Sequence, residues 1–438
     1  MKTYPKGHKK LLNAWAFYDW ANSVYSLVIA SAIFPIFYEV IFADRNHTVF
    51  LGTWAIKDTA FISFVTAFAF LVVALISPIL SGIADFVGNK KVFLRFFCYL
   101  GALSCISLFW FDVNHLFWGY TSYFFGLIGF WASWVFYNSY LPDIAYPEQQ
   151  DAISAKAYSY GYIGSTLLLL FNLAMIMFPD SFGLPEGGEG KLLAMRISFL
   201  MVGIWWIGFS HITYYYLPKG NKNEHKITKQ ILFNGFKELK LVWKQLNEIS
   251  VLKKYLRSYF VFIMAVQTVM LVATYFGAAE INWATDSEKT TGLIISILLI
   301  QLVAIVGAQL TSKASAKFGN INTLIFLNII WAVLCVFAYF VTEPIHFYIT
   351  ASFVGLVMGG IQSLARSTYS KLLPETNDTT SFFSFYDVTE KIGIVLGMAI
   401  YGAIDQITGS MRNAIVMLGI FFILGIYFLL KIPKSTRI

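Results

Sequence analysis

"AWAFYDWANSVYSLVIASAIFPIFYEVIF", residues 14–42, is an unbroken apolar run with Asp19 and Asn22 set among Trp15, Tyr18, Trp20 and Tyr25 near its start. A bilayer core is spanned by about 20 apolar residues in a helix, so a run of this length points to membrane rather than to a soluble core. Composition agrees. Charged residues make up 13% of the chain, against about 25% in soluble globular domains, and the mean hydropathy is +0.65. The 42 Phe, 25 Tyr and 12 Trp fit the aromatic enrichment of membrane interfaces. The N-terminal "MKTYPKGHKK" is basic, but the run behind it is too long for a signal-peptide core and no small-residue cleavage site closes it. It reads as a retained first span. Cys98, Cys105 and Cys335 lie inside apolar runs without metal-ligand spacing, and read as packing residues.

Spanning runs recur at 20–43, 58–82, 92–111, 116–141, 157–178, 194–217, 255–279, 290–312, 322–341, 346–370, 387–408 and 412–432. They predict an all-α integral membrane protein of twelve transmembrane helices. Strands are not expected, because membrane barrels show short alternating segments of about 10 residues. Basic residues are retained in cytoplasmic loops. With the N-terminus inside, 26 of the 32 Lys and Arg fall on the cytoplasmic side. Only Arg45, Lys57, Lys191, Arg196, Lys289 and Arg412 fall outside. This predicts a multi-pass protein of the plasma (cell inner) membrane with both termini cytoplasmic. The net charge of +8 is then a topology signal that requires no nucleic-acid partner.

The longest polar segment separates a six-helix bundle at 1–217 from another at 255–438. Within the 218–254 linker Ile231, Phe236, Leu239, Val242, Trp243 and Leu246 recur at roughly helical spacing with lysines opposite, as in a membrane-surface helix or a short solvated one. The two halves also repeat. "LSGIADFVGNKK" at 80–91 has a worn copy in "TSKASAKFGN" at 311–320, and "YLPDI" at 140–144 has one in "LLPET" at 372–376. Both matches fall at nearly one offset, which argues duplication of a six-helix unit.

Gly82, Asp85, Gly88, Lys90 and Lys91 after the second span resemble the loop signature of the major facilitator superfamily, although Phe86 and Asn89 stand where that family often has basic residues. Glycines permit a tight turn, and Asp85 there suits a gate. A narrower resemblance lies in "FYDWANSVYSLVI", "FYNSYLPDIA", "ISAKAYSYGYIG", "GGIQSLARSTYSKLLPE" and "FFSFYDVTEKIG". These are similar to the vacuole-effluxer-like branch of the superfamily, whose fungal members are implicated in releasing amino acids from the vacuole. The resemblance covers nearly the whole chain. It implies two pseudo-symmetric six-helix bundles, a small polar organic substrate with an amino acid favoured, and helices one, four, seven and ten lining a central cavity. On those helices Asn22, Tyr25, Tyr137, Asn138, Gln267, Thr274, Gln362 and Arg366 are the candidate substrate contacts. Gly355 and Gly359 share one face of helix ten with Gln362, Arg366 and Tyr369.

Asp19, at the start of the first run, reads either as a helix cap beneath an aromatic belt or as a coupling acid. Arg366, charged inside a span, needs a partner or water. Asp387 and Glu390, read as the start of helix eleven, are expected to reach it as a gate or static pair, with Lys391 competing for Asp387. A coupling proton is an expected partner only through Asp19 or Glu390. No cofactor is implied, and the glycines near Lys90 do not form a phosphate-binding loop. The six histidines are scattered without useful spacing, against an enzyme. The fifth span, "GYIGSTLLLLF", has no proline, against a drug/proton antiporter. The reading is a monomeric secondary or facilitative transporter in a lipid bilayer; a non-transporting receptor or scaffold on the same fold is the rival.

Overall fold

In a bilayer every backbone polar group must be satisfied within its own segment, and the apolar runs accordingly become helices. The computed structural model describes residues 4–42, 48–51, 54–219 and 231–434. The spanning helices are α1 (Lys9–Phe42), α2 (Asp58–Val87), α3 (Lys90–Ser107), α4 (Leu116–Asn138), α5 (Pro147–Met177), α6 (Gly187–Tyr216), α7 (Ser250–Glu280), α8 (Asp286–Phe318), α9 (Asn320–Ala338), α10 (Pro344–Leu372), α11 (Thr379–Thr408) and α12 (Met411–Leu430). Among the described residues, eleven helices are long and apolar enough to cross a membrane. The remaining one, α4, has 23 residues, a length of about 35 Å at 1.5 Å per residue. Its three Trp and three Tyr lower its hydropathy without shortening it.

Two expectations are corrected here. A two-stranded antiparallel hairpin, β1 (Thr48–Leu51) and β2 (Trp54–Lys57), pairs Val49 with Ile56 in the connection between α1 and α2. Its β-branched and aromatic residues suit a pleated pair, and it lies outside the spans. Several helices also begin well before their apolar runs, because helical hydrogen bonding continues into polar ends. Thus α1 starts at Lys9, capped by the His8 side chain, which accepts from the Lys10 amide, and α11 starts at Thr379. Pro35 has no N–H to give Ser31, and the turns before it widen into a π-helical stretch, Tyr25–Ile33.

The described chain forms two compact units. One comprises Met1–Tyr137 with Tyr160–Gly235. In it α1 and α3 pack along α6, and the α3 and α4 backbones touch: a Cβ on Gly129 would lie 2.3 Å from the Gly101 nitrogen. The other comprises Asn138–Ser159 with Phe236–Ile438. In it α8 packs on α10, α7 on α11 and α12, and α9 on α12. The linker does form a helix, Ile231–Glu248, while linker residues 220–230 lie outside the described residues. Val242 and Leu246 of that helix are buried, and Trp243 lies against Phe385 of α11 with ring centroids 5.3 Å apart.

Candidate functional site

Arg366 sits in the last third of α10 and is 1% exposed. Its Nε donates to Ser154 Oγ (3.0 Å), its Nη2 to the Ser154 carbonyl (3.1 Å) and its Nη1 to Asn138 Oδ1 (3.1 Å). The Tyr158 ring covers the guanidinium at 4.4 Å, a cation–π arrangement that is strongest where water is excluded. Ser154 passes the contact on, its hydroxyl donating to the Ser363 carbonyl at 2.8 Å. The cluster thus ties the end of α4 and the start of α5 to α10.

One turn further along α10 is a second tie to the same segment. Lys371 Nζ lies 2.6 Å from Asp151 Oδ2. Asp151 also accepts from Ser315 (3.0 Å) and Asn320 (2.9 Å), and Asn320 bonds Thr368 (3.0 Å) and Lys371 (3.2 Å). Ser315 and Asn320 belong to the worn copy of the loop signature. Asp151, Ser154 and Tyr158 were missed as functional residues, although their i, i+3, i+7 spacing puts them on one helix face, a signal that the sequence carries.

Asp387 and Glu390 do not pair with Arg366. Because α11 begins at Thr379, they lie two to three turns inside it, where Lys391 is nearer. Asp387 Oδ1 takes Lys391 Nζ at 2.6 Å, so the competing partner prevails, and Glu390 Oε2 lies 3.9 Å from the same ammonium. Glu390 also accepts from Tyr259 (3.4 Å) and from Gln267, both on α7. Gln267 is therefore a partner of an acid, and Thr274 is exposed outside this cluster. Gln362 is half-buried. Gly355 and Gly359 serve packing: a Cβ on either would lie 2.5 or 2.2 Å from the Ile300 or Ala304 carbonyl oxygen of α8.

In the other unit Asp19 lies ten residues inside α1 and is 2% exposed, which rules out a cap. It accepts from Tyr137 OH at 3.2 Å. Trp15 stacks on Tyr137 and donates to its carbonyl at 2.9 Å, satisfying one of the carbonyls left open at the end of α4. Tyr18 also packs on Tyr137, and Tyr25 is stacked on Phe130. These aromatics fill a helix interface and are no belt. Asn22 is fully buried, and its Nδ2 has no partner among the described residues. In the loop signature, Gly88 ends α2 at φ 71°. Gly82 and Asp85 are buried in the last turns of α2, and Lys90 opens α3. Lys91 is buried and donates to the Leu217 carbonyl at 2.7 Å, at the end of α6.

This arrangement of helices is that of the major facilitator fold: the chain matches the E. coli fucose:proton symporter FucP at TM-score 0.69 and 14% identity, over 97% of this chain and 98% of that one. It matches the human organic anion transporter MFSD10 at TM-score 0.71 and 9% identity, over 96% and 99%. Residues 7–437 match the family described as vacuole effluxer Atg22 like, and the chain belongs to that family. An uncharacterized MFS-type transporter of Bacillus subtilis, YxiO, is 31% identical over 98% of this chain and 96% of its own length. Autophagy-related protein 22-1 of Aspergillus terreus is 24% identical over 64% of this chain. The chain spans about half the length of that relative and of its Yarrowia lipolytica counterpart. The protein is a multi-pass membrane protein of a transporter family.

Proposed function

We propose that the protein moves a small polar organic solute across the cell inner membrane by alternating access of its two six-helix repeats, with both termini in the cytoplasm. The observation that carries this reading is the pair of polar ties from α10 to residues 138–159. Arg366 and Lys371 come from the second repeat; Asn138, Asp151 and Ser154 come from the first. Hydrogen bonds and ion pairs of this kind can be made in one state and broken in another, and whatever bonds one state alone biases the equilibrium. Arg366 on this reading is a latch and not a substrate contact, since protein acceptors occupy its Nε, Nη1 and Nη2. The resemblance to the vacuole-effluxer-like branch, some of whose fungal members are implicated in amino-acid release, favours an amino acid as solute. The test is a thermal-shift screen of purified protein against amino acids, dipeptides, sugars and nucleosides, because a ligand in excess over its Kd stabilises the state that binds it. Hits are then followed as labelled solutes in proteoliposomes. The expected result is flux of at least one stabilising solute; stabilisation without flux would leave a receptor.

A further inference from the structure

Buried charge in a membrane helix is costly and marks function by default. The cluster on α11 holds two carboxylates and one ammonium: Asp387 contacts Lys391, and Glu390 contacts Lys391, Tyr259 and Gln267. The three charged side chains are each at most 6% exposed. Their contacts are unequal. Glu390 is supplied with donors from the Tyr259 hydroxyl, the Gln267 amide and Lys391, whereas Asp387 Oδ2 is buried without any hydrogen-bond partner among the described residues. The site therefore sets two carboxylates against one ammonium, with one carboxylate oxygen aimed at no donor among the described residues.

Among the described residues no second cation contacts either carboxylate. From α7 come Tyr259, Tyr255 and Gln267; from α10 comes Tyr369; on α11 itself Tyr386 stacks on Tyr259 at 4.1 Å. Tyr158 comes within electrostatic reach of Tyr259 and Tyr386 from α5. Arg366, over the Tyr158 ring, is turned to Asn138 and Ser154. Arg412 of α12 is bound to Glu280 at 2.7 Å, and Lys244 of the surface helix faces Glu248 on its exposed side. A metal cation suits the site poorly, since the neighbours of Glu390 are donors and an ammonium is already present. Among the described residues no group of three His, Cys, Asp or Glu side chains is placed to hold one.

We propose that Asp387 is a proton-binding site that couples transport to a proton gradient, taking one proton from bulk solution onto Oδ2 and returning it to solution in each cycle. This rests on the transporter reading above. Protonation of Asp387 leaves Glu390 as the carboxylate nearest Lys391 among the described residues. The ammonium then competes with Gln267 and Tyr259 for Glu390, and those two are the polar ties between α11 and α7. Proton binding thereby loosens one helix pair of this unit, the mechanical step that coupling requires.

The experiment is pH-difference infrared spectroscopy of the full chain in lipid films, read at the carboxylic-acid C=O stretch. The expected result is a band that grows on acidification of the wild type and is lost in Asp387→Asn, whose neutral amide mimics the protonated state and spares the fold. Lys391→Gln removes the cation and leaves both acids, so it should hold more bound proton than the wild type at a given pH. An unchanged band in Asp387→Asn overturns the proposal. So does a spectral change driven at fixed pH by replacing N-methylglucamine with sodium, which would make this a metal-cation site. In proteoliposomes a pH gradient should drive solute accumulation by the wild type, and the drive should be lost in Asp387→Asn. If the band behaves as expected while no solute moves under any gradient, the proton site stands and the transporter reading falls. If solute moves indifferently to the pH gradient, the coupling falls alone.

Discussion

At the scale of single residues, Arg366 shows how neutral acceptors help to hold a buried charge. Its planar fork addresses Asn138 and Ser154 at once, a geometry that a lysine ammonium cannot reproduce. Arg366→Lys should therefore keep the charge and lose the tie, costing about 1–3 kcal/mol for a buried acceptor left unpaired. The check is a double-mutant cycle with Asn138→Ala on thermal stability, with coupling expected because the two groups touch. Additivity would show that the bond to Asn138 contributes nothing. Arg366 was legible as a site because a lone arginine in an apolar run must be satisfied. Its partners were not, because Asp387 and Glu390 are compositionally the better match, although the i, i+4 spacing of Asp387 and Lys391 already offered the pairing that prevails. Asp19 misled because apolar runs report the hydrocarbon layer, not the first turn of the helix.

The elements tell a complementary story about glycine. Helices associating in lipid gain little from hydrophobicity and rely on close packing of small residues. Here α8 and α10 approach until a Cβ on Gly359 would lie 2.2 Å from the Ala304 carbonyl oxygen, while one on Gly402 of α11 would meet nothing within 4 Å. Gly359→Val should therefore force the pair apart, at a cost of about 1–3 kcal/mol as for overpacking in cores, and Gly402→Val should be silent. Size-exclusion chromatography after graded heating separates these outcomes; equal losses would refute the close-packing account. The spacing of Gly355 and Gly359 with Arg366 was readable in advance as one helix face. Whether that face looked at a cavity or at a neighbour was not, since a glycine suits both.

For the whole molecule the duplication is a reading of the sequence, and the two matched loops share a glycine at positive φ. Gly88 and Gly319 hold equivalent positions in the two repeats, and both adopt positive φ, 71° and 82°, where residues with a Cβ are penalised, but ψ is 24° at Gly88 and 155° at Gly319, so the two turns are not the same. Orientation rests on charge, since Lys and Arg within short loops stay on the side of synthesis. With 26 of 32 basic residues assigned to one side, the proposed orientation predicts the helix Ile231–Glu248 in the cytoplasm and the connection between α5 and α6 outside. The native thiols do not interfere with a labelling test, because Cys98, Cys105 and Cys335 are all buried. Lys240 and Glu186 are both exposed, so a cysteine at either is open to reagent wherever reagent can reach. In intact cells an impermeant maleimide should label Glu186→Cys and spare Lys240→Cys, and permeabilisation should make both react. Labelling of Lys240→Cys alone would invert the molecule.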